Sequence, residues 1–249
     1  MIPAYVVSVL ISFGMIAHCI KNGRNRIWIY VLVFTLWTPF IGSAIYACVE
    51  ILPDLLRTRT SRRAMRGIRQ TLDPEGDLRR AENEMMVSGN VAARQQYANE
   101  LVRLGRTAEA LTIYQNCLTG VFADDPKLLL GYAYAQFAAN DPVGARTTLD
   151  HLIEKNPEFK SPDGHLLYAR ALEGEGNNEK ALAEYATVVG YYAGAEACVR
   201  YASLLRRSGQ QALARETLQA LLDRAKYAPG HYRRAQREWL DEAQKELRS

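Results

Sequence analysis

Through most of the chain beyond residue 76, apolar residues recur three and four apart, the spacing of one helical face, between short polar or glycine-containing turns. A longer period lies over this one. Ala110, Ala145, Ala181 and Ala214 follow one another at intervals of 35, 36 and 33 residues. Ahead of each stands a tyrosine–alanine pair: Tyr97-Ala98, Tyr132-Ala133, Tyr168-Ala169 and Tyr201-Ala202. A turn pair comes between (Gly105-Arg106, Asn140-Asp141, Gly176-Asn177, Gly209-Gln210), and an apolar residue follows the alanine (Tyr114, Leu149, Tyr185, Leu218). Small residues where two helices cross, with a turn joining them, describe a helix-turn-helix unit repeated into a stack. The predicted fold class is therefore all-α, a solenoid of about four repeats. Such a fold offers a recognition surface rather than a catalytic pocket.

The pattern predicts a capping helix over 77–87, repeats at about 91–125, 126–160, 162–194 and 195–228, and a last amphipathic helix over 230–247. That last helix would carry Tyr232, Ala235, Trp239, Ala243 and Leu247 on one face. Capping helices shield the open ends of a solenoid. The expected organisation is an anchor over 1–52, a linker over 53–76, an N-terminal cap over 77–90, the array over 91–228 and a C-terminal cap over 229–249.

The N-terminal pattern is different. Residues 2–20 and 27–49 are nearly continuous apolar runs, separated by Lys21-Asn22-Gly23-Arg24-Asn25-Arg26. Each is long enough to cross a hydrocarbon core of about 30 Å. No basic segment precedes the first run and no small-x-small site follows it, so a cleaved signal peptide fits poorly. The expectation is a transmembrane helical hairpin with Trp28, Tyr30, Trp37 and Tyr46 as interface anchors. Arg57, Arg59, Arg62, Arg63, Arg66 and Arg69 follow the second run, against three basic residues in the short loop. The positive-inside rule then puts both termini, and the array, in the cytoplasm. The six arginines would attract anionic lipid headgroups, by about 1 kcal/mol per residue close to the surface. Met65, Ile68 and Leu72 could make this stretch a short membrane-lying helix; a solvated linker is the other reading.

Two resemblances sharpen these expectations. Residues 91–228 resemble the tetratricopeptide repeat family, which places a large then a small residue in mid helix A, alanine early in helix B, a large apolar residue four later, and a closing proline. The second repeat supplies Tyr132, Ala133, Ala145, Leu149 and Pro157. The resemblance implies that the first helix of each repeat lines a concave groove. Its side chains here would be Gln95, Asn99, Arg103, Lys127, Leu130, Tyr134, Phe137, Leu166, Arg170, Glu173, Val199, Ser203, Arg206 and Arg207. Such a groove, basic at its ends and aromatic in the middle, would hold an extended or helical protein segment with acidic residues flanking an apolar anchor. The order Trp28…Pro39-x-x-Gly42-x-x-x-Tyr46 resembles the two-helix membrane module of cardiolipin synthases and related phospholipase D-type proteins. Their His-x-Lys-x-x-x-x-Asp signature is missing, because none of His18, His151, His165 or His231 has lysine two residues on.

Composition adds little. The net charge of +4 over 249 residues is modest, and Cys19, Cys48, Cys117 and Cys198 show no paired spacing, so they read as small buried apolar residues. Neither a phosphate-binding glycine loop nor a metal or triad constellation is present in the sequence. No aromatic residues interleave with the arginine cluster, as a nucleic-acid surface would need. The expected function is a membrane-anchored, non-catalytic adaptor without a cofactor, binding a protein or peptide partner. The alternatives are a regulatory subunit of a membrane enzyme acting through its hairpin, or a periplasm-facing assembly factor.

Overall fold

The computed structural model describes residues 73–248. The expected membrane hairpin, the six linker arginines, Cys19 and Cys48 lie outside the described residues. None of the helices within them is long and apolar enough to cross a membrane.

The described residues form helices joined by short turns: α1 Gly76–Ser88, α2 Val91–Arg103, α3 Thr107–Cys117, α4 Pro126–Ala138, α5 Pro142–Lys155, α6 Pro162–Gly174, α7 Asn178–Val189, α8 Glu196–Arg207, α9 Gln211–Tyr227, α10 Gly230–Ala235 and α11 Arg237–Arg248. A single 3₁₀ turn, Gly120–Phe122, interrupts the longer exit between α3 and α4. There is no strand among the described residues. From α1 to α9 each helix packs on the next, and the first helices of neighbouring repeats also touch, α2 on α4 and α4 on α6.

Local chemistry sets the boundaries. Asn90, Asp125, Asp141, Ser161 and Asn177 cap α2, α4, α5, α6 and α7 by accepting bonds from first-turn amides. Pro126, Pro142 and Pro162 occupy first-turn positions where a missing N–H costs nothing. The turn within each repeat uses one device four times. Gly105, Asn140, Gly176 and Gly209 take positive φ, and the next amide bonds back to a carbonyl in the helix just ended: Arg106 to Leu101, Asp141 to Gln136, Asn177 to Leu172 and Gln210 to Leu205, each 2.9 Å. This left-handed helix ending favours glycine and tolerates asparagine.

The four periodic alanines sit at the helix crossings. Ala110, Ala145 and Ala181 are wholly buried and Ala214 is 4% exposed. The residue four later fills the space beside each crossing. In the first and third repeats it is a fully buried tyrosine whose hydroxyl must find a partner. Tyr114 donates to Asn99 Oδ1 at 2.5 Å and Tyr185 to Glu173 Oε2 at 2.6 Å, both acceptors lying on the first helix of the same repeat. In the second and fourth repeats leucine takes this place and needs no acceptor.

The last amphipathic helix departs from expectation. It is two helices, broken at Gln236, whose Oε1 accepts from the Ala195 amide at 2.9 Å and so ties the break to the start of α8. Ala235 is exposed, whereas Ala243 enters the core of the fourth repeat as expected, joined by Leu240, with Trp239 and Leu247 packed against it.

Gly131, buried in α4, faces Tyr114. A Cβ there would lie 2.7 Å from the Tyr114 Cε1 atom. Alanine is the better helix former by about 1 kcal/mol, but overpacking against a fixed ring costs about 1–3 kcal/mol. Gly131→Ala is therefore expected to lower the thermal midpoint of the array; a higher midpoint would show that Tyr114 is free to move.

Candidate functional site

The first helices of the four repeats, α2, α4, α6 and α8, carry the residues expected to line the groove. At the α2 end, Gln95 Nε2 donates to the Lys127 carbonyl at 3.0 Å, linking the first two repeats. Asn99 is occupied by Tyr114, and Arg103 Nε meets Glu100 Oε2 at 2.7 Å. Lys127 is exposed. Leu130, Tyr134 and Phe137 are half-buried along α4.

A dense cluster occupies the middle. The Arg170 guanidinium lies over the Phe137 ring, 4.7 Å from its centroid, and reaches Glu196 Oε1 at 3.4 Å. Glu196 also receives Arg200 Nε at 2.7 Å, and Arg200 in turn covers the Trp239 ring at 5.1 Å. One atom in this network is unsatisfied: Arg170 Nε is buried without a hydrogen-bond partner among the described residues. Burial, then the neighbouring Arg200 charge, pull the Arg170 pKa below its ordinary value, while Glu196 pulls it up. Arginine remains a cation through such shifts. On the next turn of α6, Glu173 accepts from Tyr185 and pairs with Arg207. At the far end Arg206 meets Glu246 of α11 at 3.3 Å, and Ser203 is half-buried.

Two of the expected groove residues are core residues. Leu166 and Val199 are each 3% exposed and belong to the clusters of the third and fourth repeats. The expected basic ends are also different in kind. Arg103, Arg170, Arg206 and Arg207 each have a carboxylate at hand, so the charge an acidic ligand would meet is already balanced. Half-exposed pairs of this sort contribute about 0.2–1 kcal/mol each, so they matter more for fixing side chains and cancelling charge than for stability.

Sequence reasoning missed Glu100, Glu196, Arg200, Trp239 and Glu246 as members of this surface. Glu100–Arg103 and Glu196–Arg200 are spaced to pair along a helix and were readable. Trp239 and Glu246 were not, because their place depends on how α11 folds back. Cys117 and Cys198 are free and buried. Among the described residues no group of His, Cys, Asp and Glu could hold a metal ion.

Known proteins share parts of this arrangement. A tetratricopeptide repeat family model matches residues 101–170. MamA 41-end from Desulfovibrio magneticus RS-1 is similar in structure, with a TM-score of 0.53 and 15% identity over 67% of this chain and 97% of that one. TTC0263, a thermophilic tetratricopeptide repeat protein of Thermus thermophilus, gives 0.53 and 16% over 66% and 88%. No curated protein sequence matches.

Tyr134 and Tyr192 face Asp163 at the middle of this surface, and Tyr192 donates to Asp163 Oδ1 at 3.1 Å. Burial first, and Asp163 next, push both phenols up to about 12 from an ordinary 10.0. The raised folded-state values contribute stability that is complete below pH 10.0 and lost as pH climbs toward about 12. Thermal midpoints should fall across that window, with Tyr134→Phe flattening the fall; a midpoint independent of pH there would contradict the burial of these hydroxyls. In residues 101–170 the chain thus matches the tetratricopeptide repeat family, and the described helices carry that family's fold.

Proposed function

We propose that the chain is a non-catalytic adaptor that holds a protein partner on the face built by α2, α4, α6 and α8. The observation that carries this reading is the central patch of Tyr134, Phe137 and Arg170. Aromatic rings and a cation lie together there, half-buried, and a buried guanidinium N–H lacks an acceptor among the described residues. A partner laying an apolar side chain on the rings would gain apolar contact and exclude water from the Arg170–Glu196 pair. Aromatic and arginine side chains of this kind are the usual energetic centres of protein interfaces. The balanced charge of the face favours a partner with one apolar anchor over a uniformly acidic one.

The adaptor would be tethered to a bacterial inner membrane by the two apolar runs over 2–20 and 27–49, with Arg57 to Arg69 against anionic lipid and the array in the cytoplasm. Support for this half comes from the sequence pattern and its resemblance to the cardiolipin synthase module. Tethering raises the local concentration of a recruited partner without any added contact.

Each half has its own experiment. Tyr134→Ala combined with Arg170→Glu should abolish co-purification of the main cellular partner while circular dichroism still reports a helical array; undiminished recovery would place the binding elsewhere. Alkaline phosphatase fused after Ser249 should be inactive, and active fusions would move the array to the periplasm.

A further inference from the structure

A second recognition site lies away from the row of first helices. Between the second and third repeats a cavity of about 740 Å³ opens where α5 ends, the 156–161 segment crosses and α6 begins. Its volume is within the range of about 300–1,000 Å³ typical of ligand sites. Leu130, Leu149, Leu152, Phe159 and Pro162 form apolar walls, and of the expected groove residues only Leu130 takes part.

The polar groups of the wall are nearly all engaged with one another. Asp150 accepts from Tyr168 at 2.8 Å and pairs with Arg146. His165 Nε2 meets Glu184 at 2.5 Å, and its Nδ1 meets the Tyr191 hydroxyl. Ser161 Oγ accepts from the Gly164 amide at 3.0 Å. These bonds leave the wall chemically apolar. The exception is Lys160, which is exposed and has no carboxylate partner among the described residues. Ile153 and Tyr191 also line the cavity and are its exposed large hydrophobic members, at 55% and 50%. A small ligand seated in the cavity would cover only the inner faces of both side chains, whereas a polypeptide running across the opening would also cover their outer faces.

We infer that this cavity receives a peptide segment of a partner protein, whose aromatic or long aliphatic side chain enters it while a neighbouring Asp or Glu meets Lys160. The inference deepens the adaptor reading and rests on it, adding a second foothold that differs in position and in ligand chemistry from the central patch. Apolar contact supplies the affinity and the single cation sets which residue must flank the anchor.

The test uses the full-length chain in lipid nanodiscs, panned with a random peptide library displayed on phage. Enriched peptides are then synthesised with a fluorescent label and titrated by anisotropy. The expected result is enrichment of an apolar residue adjoining Asp or Glu, with Ile153→Glu weakening binding about tenfold. Lys160→Glu should weaken it several-fold and remove its salt dependence. Both side chains are exposed, so neither change threatens the fold, and circular dichroism checks this. Tyr134→Ala with Arg170→Glu should leave these peptides bound. Three outcomes overturn the inference: no enrichment, peptides indifferent to Ile153→Glu and Lys160→Glu, or occupancy by a free apolar acid such as 4-phenylbutanoate while peptides do not bind. Enriched peptides lost only in the Tyr134/Arg170 variant would overturn the cavity site and leave the adaptor reading standing.

Discussion

Helices can pass close to one another only where a side chain is small, and this array depends on that constraint four times over. Ala110, Ala145, Ala181 and Ala214 let the second helix of each repeat settle on the first, and the bulky residue one turn later fills the remaining space. A single repeat cannot bury both of its faces, so the core is a succession of clusters, each shared with the next unit. Stability in such an array is a sum of local terms. One consequence is that side chains on the outer faces are released from packing and can serve recognition.

They are not released from each other. Arg170, Glu196 and Arg200 form a chain of charge from α6 to α8, and Glu173 joins Tyr185 to Arg207 across the same gap. These contacts hold neighbouring repeats in register and fix the side chains of the proposed binding face. Preorganisation of this sort lowers the entropy cost of association. It also explains why the face is not simply basic. Each arginine that orders a repeat junction has its charge answered within the array.

How far the sequence was legible depended on distance along the chain. The turns were readable because Gly105, Asn140, Gly176 and Gly209 stand at one phase of the period, and a left-handed helix ending wants those residue types. The alanines and the Tyr114 and Tyr185 fillers were readable for the same reason. The bonds that satisfy the buried hydroxyls are another matter. Asn99 and Glu173 look from sequence like free groove residues, because nothing local shows that a helix-B tyrosine reaches them. Leu166 and Val199 misled in the opposite sense, since helix-A positions that face outward in an average repeat turn inward where the next repeat crowds them. The break at Gln236 goes with a long-range bond to Ala195, which no helical periodicity contains. The cavity beside Lys160 arises from the path of the 156–161 segment, and loop paths are the least local feature of all.

The direct measure of whether crossings at small residues hold the array together is amide hydrogen exchange of the chain with Ala181→Leu. Because each unit leans only on its neighbours, the account predicts faster exchange in α6, α7 and α8 with protection in α2 and α3 unchanged. Equal loss of protection from α2 through α9, or no change anywhere, would contradict it.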